Sequence, residues 1–228
     1  MGDLTDAVAA IGGGGLVVFP TDTVFGLGCL AADPAARRRL YAVKRRDPSR
    51  PAILMAATLA ALEPWVVLDD RARELAGEFW PGALTLVLPV TSRAAAELGE
   101  VVQAEPQAAV AEPGRLLPGA SPGRRRGGPA VAAPRPGTPT LAVRIPDHPV
   151  ALALLHAAPG PLATSSANRA GEPAPTTLAQ ARAALGGAVD AYLDGEVSLG
   201  VASSILDLAH GAPRLIRQGS IPPERLLR

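Results

Sequence analysis

Short apolar runs alternate with segments that carry helix start and stop signals along most of the chain. Residues 16–19 form a continuous apolar run, as in strands buried on both faces. A helix is expected to begin at Asp33-Pro34, where an N-cap residue precedes a proline in the first turn. Further strands are predicted at 52–56, 84–88, 140–145, 162–164, 192–193, 203–208 and 214–217, and further helices at 6–11, 69–79, 149–157 and 178–185. This alternation predicts an α/β fold with paired strands near the C-terminal end.

The alternation stops between about residues 92 and 139. Residues 105–139 are mostly Pro, Gly, Ala and Arg, with an arginine triplet at 124–126, and show neither a helical nor a strand period. We therefore expect a single domain over residues 1–228 with a disordered insertion at about 105–139. The triplet would either contact RNA or stay solvated, and a solvated loop is the simpler interpretation.

Composition limits the classes of function. Aromatic residues make up only 3% of the chain, so stacking on bases is not expected to hold nucleic acid. The net charge is +1, and any basic site must come from local concentration of charge. Cys29 is the only cysteine, which excludes an intramolecular disulfide and a cysteine-based metal cluster. No targeting signal or membrane-length apolar run is present, so a cytoplasmic protein without membrane association is expected.

Lys44 is the single lysine in a chain that has 21 arginines. The composition therefore favours arginine wherever a generic positive charge is sufficient. A lysine kept against this bias suggests a role that needs a compact ammonium group, and phosphate contact is the commonest such role. The alternative is a lysine on a solvated helix face, since charged runs such as residues 44–46 usually face water.

Four polar segments follow or precede predicted strands, where open α/β sheets bind ligands. They are residues 20–28, 44–51, 164–176 and 203–207, with Arg217 and Gly219 one strand later. The first segment is expected to be a glycine-containing turn, extending to Cys29, whose hydroxyls and backbone amides suit a carboxylate or a small amino acid. The second is a cationic cluster.

Five stretches resemble, in order, the motifs of the YrdC-like family, the L-threonylcarbamoyl-AMP synthases. Residues 20–28 match its Pro-Thr-Glu/Asp-Thr opening with Gly-Leu-Gly, and residues 44–46 match its Lys-x-Arg. Residues 79–85 match Phe-Trp-Pro-Gly-x-Leu-Thr, 140–146 resemble the Val-Arg-x-Pro strand, and 165–171 resemble the Ser-Ala-Asn-x-Ser-Gly turn. The resemblance spans roughly residues 16–221, and we expect the short, single-domain form of the family, without the C-terminal extension of its two-domain members.

The resemblance implies a twisted mixed sheet, partly antiparallel and flanked by helices, around a concave cationic cavity. It also implies a nucleotidyltransferase that converts L-threonine, bicarbonate and ATP into L-threonylcarbamoyl-AMP and pyrophosphate. The product would supply threonylcarbamoyladenosine modification of tRNA. Downstream threonylcarbamoyl transferase proteins and contact with tRNA or double-stranded RNA are the implied macromolecular partners.

Matching the motifs position by position implies a set of site residues. The catalytic pair would be Lys44, at the polyphosphate or carbamate, and Arg46. L-Threonine would be bound by Thr23, Arg144, Ser166 and Ser203. ATP would be bound by Arg46, Arg50, Thr140, Asn168, Thr176 and Arg217. The chain departs from the family pattern at Arg50, Met55 and Ala170, where many relatives have Asn, His and Ser.

The sequence also gives expectations for the metal ion, for two acids and a histidine, and for alternative functions. Mg²⁺ is expected to arrive with ATP, because no Asp/Glu cluster offers a dedicated cage, and no organic cofactor is expected. Asp22 and Asp207 are either general bases or residues that pin backbone amides. His148 is interpreted as a helix-start residue. The alternative functions are an RNA-binding module without catalysis and a relative that handles carbamoyl phosphate.

Overall fold

Nine strands form one mixed sheet in the computed structural model, which describes residues 3–47, 52–98 and 138–228. The strands are β1 (Val17–Phe19), β2 (Gly26–Leu30), β3 (Ile53–Met55), β4 (Leu84–Pro89), β5 (Thr140–Arg144), β6 (Leu162–Ser166), β7 (Ala191–Tyr192), β8 (Ser204–Asp207) and β9 (Arg214–Arg217). Their order across the sheet is β7-β1-β2-β6-β3-β5-β4-β8-β9. The pairs β1–β7, β3–β5 and β4–β8 are parallel and the other neighbours are antiparallel. The predicted α/β class with a partly antiparallel sheet is confirmed.

Helices begin where the sequence supplies N-caps. They are α1 (Leu4–Gly12), α2 (Pro34–Lys44), α3 (Leu59–Leu62), α4 (Asp70–Phe79), α5 (Ser92–Leu98), α6 (Pro149–Ala157), α7 (Leu178–Leu185) and α8 (Pro223–Leu226). The Asp33 carboxylate accepts from two amides of the first turn of α2, and Asp69 caps α4 in the same way. Thr177 and Gln180 form a capping box at α7. No helix in the described ranges is long and apolar enough to cross a membrane.

Side chains alternate between the two faces of each strand, so the sheet separates two apolar layers. On one face Val18 and Leu54 pack into the larger core with residues of α2, α4 and α7. On the other face Phe19 and Met55 pack with residues of α1 and α6. Both faces of the sheet are therefore covered by helices over part of its area, as the continuous apolar runs predict.

The structure corrects the prediction for residues 20–29. The polar turn ends at residue 25, and β2 follows at Gly26–Leu30, paired with β1 and β6. The glycines that indicated a turn have a packing role instead. A Cβ at Gly28 would lie 3.0 Å from the Phe19 ring, and one at Gly26 would lie 3.3 Å from the same ring. Glycine is needed there because an aromatic side chain lies flat across the strand.

A second correction concerns the region after residue 91, where no regular structure was expected. Residues Ser92–Leu98 form α5, with Ala94 and Leu98 buried in the larger core. The Thr91 hydroxyl accepts from the Ala94 amide and starts this helix. Of the predicted insertion at 105–139, residues 105–137 lie outside the described residues, as do the Arg124–Arg126 triplet and Arg50.

Substitution of Gly219 tests the close packing of the chain beside the start of β8. A Cβ at this position would overlap the carbonyl of Ala202 and the amide of Ser204, and backbone atoms cannot move away as a flexible side chain can. We expect Gly219→Ala to lower the free energy of unfolding by about 1–3 kcal/mol in urea titrations. Gly187→Ala is the control, because a Cβ there meets nothing within 4 Å, and its effect should stay within about 0.5 kcal/mol. Equal effects of the two substitutions would show that this contact does not limit the fold.

Candidate functional site

A buried arginine connects the loop after β1 to the end of β5. The guanidinium group of Arg144 donates to the Gly82 carbonyl at 2.9 Å, to the Thr23 hydroxyl at 2.8 Å and to the Asp22 carboxylate at 2.6 Å. Asp22 also accepts from the Asp147 amide at 3.1 Å. We call Asp22, Thr23, Gly82 and Arg144 the Arg144 cluster. It brings together segments that lie more than 120 residues apart in sequence.

The hydroxyl groups in the loop after β1 have defined donor and acceptor roles. The Thr21 hydroxyl donates to the Val24 carbonyl at 2.6 Å, so its single hydrogen is already used. The 3.0 Å contact between the Thr21 and Thr23 hydroxyls must then have Thr23 as the donor. Thr23 therefore accepts from Arg144 and donates to Thr21, which holds its oxygen in one orientation beside the guanidinium group.

Burial and charge act in opposite directions on Arg144. The loss of solvent lowers the pKa of the guanidinium group, and the negative charge and hydrogen bond of Asp22 raise it. Both side chains of the pair are almost fully buried. Because the Asp22 carboxylate neutralises a buried cation, the geometry favours its role in holding the loop over the role of general base.

A hydroxyl pair lies at the start of β8. The Arg217 guanidinium donates to the Ser203 carbonyl at 2.9 Å and to its hydroxyl at 3.1 Å. The Ser203 hydroxyl is also 2.8 Å from that of Thr85, which is fully buried on β4. Thr85 and Gly82 both belong to the Phe-Trp-Pro-Gly-Ala-Leu-Thr stretch, yet the sequence indicated no site role for either. Their roles depend on partners far away in the chain.

The side chain of Lys44 ends in a cage of oxygen atoms. Its ammonium group donates to the Ser166 carbonyl and to the Asn168 carbonyl at 2.6 Å, and it lies 3.4 Å from the Asn168 side-chain oxygen. We call Lys44, Ser166 and Asn168 the Lys44 cluster. The pKa of Lys44 is lowered to about 7, chiefly by burial and also by the positive charge of Arg46, while the negative charge of Glu172 acts in the opposite direction. Lys44 is 2% exposed, so it does not lie on a solvated helix face.

Arg46 approaches the same region from beyond the helix end. Arg45 adopts a left-handed conformation with φ 51° and ends α2, and two positions after Lys44 the chain turns toward β6. The Arg46 guanidinium group donates to the Ser165 hydroxyl at 2.8 Å.

Arg217 is coupled by charge to two other arginines of the site. Partial desolvation lowers the pKa of Arg217, and the positive charges of Arg144 and Arg46 lower it further. Arg144 and Arg46 thus each lie within electrostatic range of Arg217. Clustered cations that repel each other are an arrangement that an anionic ligand would stabilise.

The remaining predicted residues are more dispersed. Thr140 begins β5, about 13 Å from Arg144 at the strand's rise per residue, and its buried hydroxyl has no hydrogen-bond partner among the described residues. Thr176 is half-buried, and its hydroxyl bonds to the Gln180 side chain at 3.2 Å. Ser166 lies in the Lys44 cluster and not beside Arg144. Arg50 lies outside the described residues.

Other reactive side chains have structural partners. Asp207 accepts from the Ala209 amide and contacts His210 and Arg214, and His148 caps α6 by accepting from the Val150 amide. Burial raises the pKa of the Cys29 thiol to about 12, so it is not a thiolate nucleophile at neutral pH. Within residues 3–47, 52–98 and 138–228, no group of three or more His, Cys, Asp or Glu could hold a metal ion.

The chain is similar to known proteins over most of its length. A family model named Sua5/YciO/YrdC, with the description telomere recombination, matches residues 9–113 and 88–219. A threonylcarbamoyl-AMP synthase of Chromohalobacter salexigens is 39% identical over 211 residues, which are 91% of this chain and 94% of that relative. A synthase of Pyrococcus abyssi is 34% identical over 215 residues, 93% of this chain but 53% of the relative. The chain thus spans nearly the whole of one relative and about half of the other.

A solved structure is similar over the same extent. The crystal structure of P. abyssi Sua5 complexed with L-threonine has a TM-score of 0.78 and 31% sequence identity to this chain. The match covers 98% of this chain and 56% of that one.

The buried ion pair gives a stability prediction. Asp22→Asn keeps the shape of the side chain but leaves Arg144 as an unpaired buried charge, so we expect a loss of about 3–5 kcal/mol in urea unfolding. Glu63→Gln is the control, because the Glu63–Arg73 pair is exposed and its loss should cost about 0.2–1 kcal/mol. If Asp22→Asn were as mild as the control, Asp22 would not be holding the loop through charge.

Proposed function

Because this chain belongs to the Sua5/YciO/YrdC family, we propose that it makes L-threonylcarbamoyl-AMP and pyrophosphate from L-threonine, bicarbonate and ATP. The observation that supports this most directly is the charge coupling of Arg217 to both Arg144 and Arg46. It links the Arg144 cluster, which suits an amino-acid carboxylate, with Arg46, which suits a phosphate. The enzyme is thus a nucleotidyltransferase that requires the threonine carboxylate and the ATP phosphates side by side.

The Arg144 cluster is proposed to bind L-threonine. Three of the five guanidinium N–H groups of Arg144 are used within the cluster, which leaves two for a carboxylate. Thr23, whose hydrogen is donated to Thr21, would accept from the amine or hydroxyl of the substrate, and the Ser203 hydroxyl would contact the same groups. Ser166, on the far side of the site, would reach the same ligand from the nucleotide end.

The nucleotide is proposed to lie against Arg46 and Arg217. Their positive charges would stabilise the negative charge that develops on the α-phosphate and on departing pyrophosphate. The further nucleotide contacts proposed are Arg50, Thr140, Asn168 and Thr176. In the reaction, the threonine amine attacks bicarbonate with loss of water, or CO₂ derived from it with loss of a proton to solvent, and the carbamate oxygen then attacks the α-phosphorus as the bond to pyrophosphate breaks. The residues orient the reactants and neutralise charge, and no covalent enzyme nucleophile is required.

Mg²⁺ is proposed to enter with ATP, where it would neutralise phosphate charge. Among the residues that the structure describes, the two buried carboxylates, Asp22 and Asp207, are each paired with an arginine. The ligands of the metal would therefore be phosphate oxygens and water.

We also propose that residues 1–228 form one domain of a cytoplasmic protein whose product passes to threonylcarbamoyl transferase proteins for modification of tRNA. Contact with tRNA or double-stranded RNA belongs to the same proposal. The relatives named threonylcarbamoyl-AMP synthase support this setting.

The proposal predicts pyrophosphate release from ATP and bicarbonate that depends on L-threonine. Arg46→Gln should lower kcat/KM for ATP about 100-fold or more, as for loss of one preorganised charge contact. Arg45→Gln is the matched control, because Arg45 is the exposed neighbour and also lies at the helix end. The control should remain within about threefold of the unsubstituted enzyme, and both variants should melt normally.

Two other outcomes of the assay would favour a different function. Absence of threonine-dependent release together with tight, salt-sensitive RNA binding would favour an RNA-binding module. A product formed from carbamoyl phosphate without threonine would favour a relative that handles carbamoyl phosphate.

A further inference from the structure

The ammonium group of Lys44 has as many oxygen neighbours as it has hydrogens. A lysine ammonium donates three hydrogen bonds, and the three acceptors here are the carbonyls of Ser166 and Asn168 and the side-chain oxygen of Asn168. The side chain is almost completely buried. A phosphate could contact this nitrogen only by displacing one of these acceptors.

The cage accounts for the use of lysine at this position. Three oxygens arranged around one nitrogen match a compact tetrahedral ammonium, whereas the planar fork of arginine spreads its donors over a wider area. Elsewhere the chain uses arginine for its long basic side chains, 21 times in all. A phosphate contact would not require this exception, because arginine binds phosphate at least as well.

The backbone of Lys44 holds the same turn. The Ala170 amide donates to the Lys44 carbonyl at 2.8 Å, so side chain and main chain both join the end of α2 to residues 166–170. Position 170 needs no hydroxyl for this bond, which accommodates alanine where serine was expected. The Asn168 side chain also donates to the Arg169 and Glu172 carbonyls, which completes an internal network.

We propose that Lys44 is a positioning residue, whose ammonium group fixes the turn at residues 166–168 against the end of α2 and does not contact the nucleotide phosphates. Ser165, the hydrogen-bond partner of Arg46, directly precedes this turn, so the position of the turn influences where Arg46 meets the nucleotide. This inference refines the role of Lys44 within the proposed function. The activity measurements that test the inference rest on that proposed function. It replaces direct contact between Lys44 and the polyphosphate.

Substitution of Lys44 distinguishes a positioning role from a phosphate contact by the activity of the variants. We expect Lys44→Met and Lys44→Arg both to lower kcat/KM for ATP about 100-fold, because neither side chain satisfies the cage. Lys44→Cys treated with 2-bromoethylamine carries a lysine-like ammonium and should recover to within about threefold of the unsubstituted enzyme. Cys29 should not react, because its thiol is buried with a raised pKa, and treated unsubstituted enzyme is the control. If Lys44→Arg kept its kcat/KM for ATP within about threefold of the unsubstituted enzyme, contact between Lys44 and a phosphate would be supported. The proposed positioning role would then be wrong.

A spectroscopic measurement tests the cage without any assay of activity. Since the chain has one lysine, ¹⁵N-lysine labelling gives a single side-chain ammonium resonance. At pH 6, where most of Lys44 is protonated, we expect a slowly exchanging signal in the ligand-free protein that persists when a non-hydrolysable ATP analogue is added. A signal that appears only with the analogue, or that shows coupling to ³¹P, would overturn the proposal. This result stands whether or not the enzymatic reaction is the one proposed.

Discussion

The buried ion pair between Asp22 and Arg144 holds together segments that the sheet order alone would keep apart. Three strands, β2, β6 and β3, lie between β1 and β5 in the sheet, so the loop after β1 must extend across them to reach Arg144. Removal of two charges from water costs several kcal/mol per ion. The site offsets that cost with a carboxylate, a hydroxyl and a carbonyl around one guanidinium group. The position of Thr23 then follows from that of Arg144.

Arg144 and Lys44 are both buried cations whose charge must be stabilised away from water, and their surroundings do so with different geometry. Arg144 spreads its donors over three separate segments of chain, which suits a planar fork. Lys44 gathers three oxygens from one short turn around a single nitrogen. In both cases a buried cation organises the backbone, and in the proposed function Arg46 and Arg217 provide the charge at the ligand.

The sequence predicted what depends on local pattern and missed what depends on distant partners. Strand β1 was found because residues 16–19 are a continuous apolar run, and α2 was found from its Asp-Pro start. Strand β2 was missed because its two glycines indicate a turn until the Phe19 ring is placed across them. Thr85 had no visible role, because its partner Ser203 lies 118 residues away. Lys44 stood out by composition, but carbonyl oxygens belong to every residue, and a cage built from them leaves no sequence signature.

The central claim is that the Arg144 and Lys44 clusters border one site where an amino acid and a nucleotide lie side by side. A crystal structure of the protein with L-threonine and a non-hydrolysable ATP analogue tests it most directly. We expect the threonine carboxylate within hydrogen-bond distance of Arg144 and the phosphates beside Arg46 and Arg217. Ligands bound elsewhere, or threonine and nucleotide on separate surfaces, would contradict the account.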